Sequence, residues 1–93
     1  MGAAAATIES VKLTKRDLEA GLAVFEQLDT VERWSRRGKR TDEIEMEIPN
    51  VIQCAMYRPA YQVMRDKLLS KYSIKEESTL VRCLMSSIAA KRR

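Results

Sequence analysis

The 93-residue chain has no histidine, two cysteines, three glycines and two prolines, and only 5 % of it is aromatic. Without histidine it lacks the usual general base of a nucleophilic triad and the commonest nitrogen ligand for zinc. Cys54 and Cys83 form no C-x-x-C pair, so neither a zinc site nor a disulfide framework is expected. Their placement inside helical stripes predicts two buried free thiols, and a reducing compartment. Three glycines leave nothing like a phosphate-cradling loop. No apolar run approaches the roughly 18 residues that a membrane helix needs. These absences argue against catalysis, against a cofactor or metal, and against a membrane span. The carboxylates are plentiful, but most fall on faces expected to be exposed.

What remains is a small apolar inventory and many charges. The apolar share of 45 % supports one core in one domain, and a chain this short buries roughly 60–65 % of its unfolded surface. With so few aromatics, that core must rest on Leu, Ile, Val, Met and Ala. The charged share of 32 % with little Gly or Pro favours helices. Net charge is +4, with a pI near 9.3. Its distribution is uneven: Arg33, Arg36, Arg37, Lys39 and Arg40 cluster, and Lys91, Arg92 and Arg93 close the chain. Asp42, Glu43, Glu45 and Glu47 follow the first cluster at once, as a solvated loop beside an acidic helix start would.

Helical periodicity accounts for most of the chain. Residues 1–10 read as a disordered or frayed leader, 11–90 as a single helical domain and 91–93 as a basic tail. Thr14 with Asp17 resembles a capping box, and Leu18, Leu22, Phe25 and Leu28 then mark one helix face. Gly21 within that helix is expected where a neighbouring helix comes close. Thr30 is a candidate cap for a short helix carrying Val31 and Trp34, with Trp34 as a core anchor and Gly38 as the stop. A third segment from Thr41 or Asp42 buries Ile44, Ile48, Val51, Ile52 and Ala55, with Pro49 either kinking or splitting it. Pro59 opens a fourth helix with an apolar stripe of Ala60, Val63, Met64, Leu68, Leu69 and Tyr72. Ser73 with Glu76 forms an S-x-x-E capping box for a last helix carrying Leu80, Val81, Leu84 and Ile88. Nothing alternates as a strand does. The expected fold is all-α, a compact bundle of four to five short helices.

The stretch before Pro59 carries the functional reading. Proline disfavours helix at Arg58, which frees Met56, Tyr57 and Arg58 from the preceding stripe. An adaptable thioether, a ring with a polar tip and a guanidinium suit a small protein-binding hot spot. The plain alternative is a turn with Tyr57 packed on the core.

The segments "LTKRDLEAGLAVFEQLDTVERW" and "AMYRPAYQVMRDKLLSKY" resemble the TFIIS N-terminal-like, or LW, domain family over about residues 12 to 75. The likeness lies in Leu18, Leu22, Phe25 and Leu28, in a third helix starting at Thr41, and in the L-x-x-x-aromatic close of Leu68 and Tyr72. Family members usually carry Trp where this chain has Tyr72. The resemblance implies a non-catalytic, monomeric, nuclear module of the transcription elongation machinery. Its partners would be disordered segments with acidic residues and an aromatic anchor. By the same resemblance two inter-helix corners form the docking surface, here Leu13 and Thr14 together with Met56, Tyr57 and Arg58. The runner-up is nucleic-acid binding through Arg33, Arg36, Arg37, Lys39 and Arg40. A membrane-associated matrix-like domain comes third, because it requires acylation of Gly2 and the acceptor pattern wants Ser or Thr where Ala6 stands.

Overall fold

Thr14 begins the regular structure as expected. Its backbone is extended and its hydroxyl accepts from the Asp17 amide at 3.2 Å, which starts α1 (Lys15–Phe25). The computed structural model describes residues 11–91, so the leader 1–10, with Gly2, and the terminal Arg92 and Arg93 lie outside the described residues. Four more helices follow: α2 (Asp29–Arg37), α3 (Thr41–Ala55), α4 (Pro59–Lys71) and α5 (Glu77–Lys91). The described residues hold no strand, and the all-α bundle is as the composition and periodicity predict.

The bundle is organised around α5, against which all four other helices pack, α3 most extensively. Leu80, Val81, Leu84, Met85 and Ile88 of α5 are fully buried, and Thr79 and Cys83 nearly so. A helix apolar on nearly every side is a central one. Around it close Phe25 and Leu28 with Val31 and Trp34, then Ile44, Val51 and Tyr61. Gly21 is small for the reason expected: a Cβ there would stand 2.8 Å from Leu84 Cδ2 across the α1–α5 contact.

The connections show where local signals succeed and fail. Gly38 ends α2 in the left-handed region, with φ of 60°, which glycine adopts at no steric cost. Thr30 is not the cap of α2; Leu28 occupies that position, and the Thr30 hydroxyl lies 3.4 Å from Cys54 Sγ instead. Cys54 is accordingly exposed rather than buried, whereas Cys83 is buried with its thiol pKa raised by desolvation.

Pro49 neither ends α3 nor divides it. Ile44, Ile48, Val51 and Ala55 keep one buried face across it, and Pro49 itself points to solvent. An interior proline costs about 3 kcal/mol of helix stability. Packing along α5 offsets it.

Ser73 does not cap α5. It sits with φ of 53° just past α4, where its amide bonds Ser70 O at 3.3 Å and the Ile74 amide bonds Leu69 O at 2.9 Å. That pair of bonds is a Schellman ending, with serine in the place glycine usually takes. The buried Ile74 anchors it, and α5 begins later, at Glu77.

Candidate docking groove

Helices α1 and α4 run antiparallel. At one end Asp17 of α1 meets Lys71 at the close of α4, and at the other Phe25 meets Tyr61 edge-on, with centroids 5.4 Å apart. Along the seam lies a groove of about 220 Å³. Ala20 and Val24 form one wall, and Ala60, Val63 and Met64 the other, with Lys67 on the lip. Val63 is 70 % exposed, although the spacing of α4 had placed it and Ala60 in the buried stripe. Tyr61 takes the core position instead, fully buried, with its hydroxyl donating to Glu77. Burial first, and Glu77 second, raise that phenol well above its ordinary range.

The α3–α4 corner directly precedes Ala60 of the groove wall, although none of Met56, Tyr57 and Arg58 lines the groove. Met56 closes α3, Arg58 is extended, and Pro59 takes the first position of α4. Tyr57 is 78 % exposed and Met56 40 % exposed, while the Met56 carbonyl accepts from Gln62 Nε2. The corner is thus a turn whose side chains leave the core, and Tyr57 is no core residue. Arg58 and Lys67 are exposed and make no ion pair among the described residues.

The other expected corner, Leu13 and Thr14, lies at the opposite end. Thr14 N–H donates to the Tyr72 hydroxyl at 2.9 Å, which places it beside the close of α4. The thirteen residues of α4 span roughly 20 Å, so the two corners form no single compact surface. Neither corner lines the groove itself, and Leu13 borders a separate hollow against α5. Leu13 is half-buried, and the Thr14 amide is already satisfied within the fold.

A polar knot ties that far end. Lys71 Nζ and the Tyr72 hydroxyl both donate to Asp17 Oδ2, at 2.5 and 2.6 Å. Asp17 therefore does not complete the reciprocal capping box that its spacing suggests. The Lys71 bond, then the Tyr72 bond, hold the Asp17 carboxyl down at about 2, from an ordinary value of 3.8, and Asp17 in turn raises Lys71. A depressed carboxylate pKa contributes stability that is complete above the unfolded value and lost as pH falls toward the folded one. Melting temperature should therefore drop between about pH 4 and pH 2 through this site. Asp17→Asn should flatten that part of the profile in a thermal melt series. An unchanged acid limb would show that the knot is not formed.

The basic cluster is largely neutralised. Arg36 pairs with Glu32, Lys39 with Glu47 at 3.2 Å and Arg40 with Asp42 at 3.8 Å. Arg33 and Arg37 make no such pair among the described residues. They line a second depression, between α2 and α3.

Among the described residues no group of His, Cys, Asp or Glu could hold a metal ion, and no helix is long and apolar enough to cross a membrane. Comparison with protein-family models, curated proteins and solved structures returns no match.

Proposed function

We propose that the chain is a non-enzymatic docking domain whose α1–α4 groove takes a disordered acidic segment with an aromatic or aliphatic anchor. The observation that carries this reading is the exposure of Val63 in the wall of an apolar groove, with the exposed Tyr57 three residues before Ala60 of the same wall. Large apolar side chains left in water next to a concave surface mark an interaction site. The acidic character of the partner follows from charge: Arg58 and Lys67 flank the exposed apolar residues without partners, while Asp17 is already neutralised by Lys71. A guanidinium beside Tyr57 offers a bidentate hold on a carboxylate. The nuclear, transcription-elongation setting is supported by the resemblance of residues 12 to 75 to the LW domains.

The test is an NMR titration with acidic peptides containing Phe. Shifts should gather at Val24, Met56 to Arg58, Ala60 and Val63, with roughly micromolar affinity because the peptide must order on binding. Tyr57→Ala should weaken docking by about 1–3 kcal/mol, as loss of an interface anchor does. Its effect on the melt should stay within the half kcal/mol or so of a surface change. Leu68→Ala, in the core of the same helix, should cost about 2–5 kcal/mol of stability. No shifts, or shifts confined to the α2–α3 depression, would overturn the groove.

Direct nucleic-acid binding is the second reading, favoured by the unpaired Arg33 and Arg37. Each phosphate contact adds about 0.9 to the salt slope of log K on duplex DNA. Three of the five clustered cations are held by carboxylates, which lowers the slope available.

A further inference from the structure

The α2–α3 depression is built differently from the groove. It consists of two adjoining hollows of about 250 and 310 Å³ that share Thr30, Arg33, Glu47 and Asn50. Arg33 and Arg37 stand one helical turn apart on α2, so their side chains are neighbours on the same wall. Asn50 and Gln53 of α3 contribute polar side chains to the lining. Lys39 of the first hollow holds the shared Glu47, and Cys54 of the second contacts the shared Thr30. Trp34 is only 2 % exposed and lines the first hollow.

The charges here sum to an unmet demand. The Lys39–Glu47 pair is neutral, which leaves Arg33 and Arg37 as two uncompensated cations. Two forks of donors call for an acceptor with several oxygens and a double negative charge. One carboxylate is satisfied by a single bidentate arginine. A phosphate monoester carries about −1.5 to −2 at neutral pH and three acceptor oxygens. From this we infer that the α2–α3 cleft is a binding site for a phosphate monoester, held by Arg33 and Arg37. Asn50 and Gln53 meet the polar body of the ester. The site lies on a face of the bundle distinct from the α1–α4 groove, so either one can stand without the other.

Trp34 is the single tryptophan of the chain, so its emission reports on this cleft directly. The experiment titrates the full chain with O-phosphoserine, with acetate and with a short DNA duplex, following Trp34 fluorescence and the heat of binding. O-phosphoserine should give a saturable change, and acetate none in the same range. Arg33→Gln and Arg37→Gln should each weaken binding by about tenfold or more, the loss of a charge-assisted hydrogen bond. Arg36→Gln removes the same charge from the same helix but from a side chain held by Glu32, and should leave affinity unchanged. The three arginines are exposed, so circular dichroism should show all three variants folded. A linear, unsaturable response to O-phosphoserine would overturn the site. So would equal binding of acetate, an equal loss in Arg36→Gln, or binding of the duplex alone.

Discussion

Tyr61→Ala is expected to lower the unfolding free energy by about 3–5 kcal/mol, the range for removing a large aromatic from a core. The side chain is fully buried and stands edge-on to Phe25 at 88°. Such pairs add about 0.5–1.5 kcal/mol beyond their buried area. Arg65 lies over the same ring at 5.8 Å and reaches Glu77 at 3.6 Å, so the ring is also one side of a small polar seam between α4 and α5. Small domains hold about 5–15 kcal/mol in total, so the variant should unfold at far lower urea, if it folds at all. Tyr61→Phe separates the two contributions. It keeps the ring and deletes the hydroxyl that Glu77 accepts from, so it should cost about 0.5–3 kcal/mol, the range from a neutral hydrogen bond to a charge-assisted one. Urea denaturation of both variants checks the order. If Tyr61→Ala cost no more than Tyr57→Ala, the placement of Tyr61 in the core would be wrong.

Tyr61 also shows where the sequence could be read and where it could not. In α4 two interleaved sets fit helical spacing around Met64 and Leu68. One includes Ala60 and Val63, the other Tyr61. Hydrophobicity marks an apolar face but does not say whether a neighbouring helix or a partner covers it. Val63 and Ala60 proved to line a wall of the groove, and Tyr61 to belong to the core. The groove itself pairs α1 with α4, and no pattern within either helix specifies that pairing. Cys54 fails for a similar reason. It sits one position off the stripe of Val51 and Ala55, enough to turn a small side chain outward.

Signals that depend on the backbone alone fared better. Gly38, Pro59 and the Thr14 cap act through φ, a missing N–H and a local hydroxyl, and all three sit as their chemistry requires. The turn at Pro59 likewise left Tyr57 exposed. Ser73 is the local signal that misleads. Its S-x-x-E spacing suits a cap, but the Schellman bonds at the end of α4 and the burial of Ile74 take precedence. Pro49 is decided by tertiary packing, which no window of sequence around it contains.

The close approach of α1 and α5 makes the second large prediction, and its sign depends on the background. Leu84 is fully buried at the centre of the bundle, and Leu84→Ala should cost about 2–5 kcal/mol through the cavity it leaves. Gly21→Ala alone brings opposing effects. Alanine gains about 1 kcal/mol in a helix interior. Its Cβ, however, would lie 2.8 Å from Leu84 Cδ2 and 3.2 Å from Cδ1, closer than packed carbons tolerate. Leu84 has no solvent to move into, and overpacking of this kind costs about 1–3 kcal/mol. The net effect in the parent chain is therefore neutral to destabilising. In the Leu84→Ala background the clash is gone and part of the cavity faces the new methyl, so Gly21→Ala should stabilise by about 1 kcal/mol. The double-mutant cycle should return a coupling of about 1–3 kcal/mol between the two positions. If Gly21→Ala stabilises the parent chain as much as it stabilises the Leu84→Ala variant, the coupling is zero and the helices do not meet at this point.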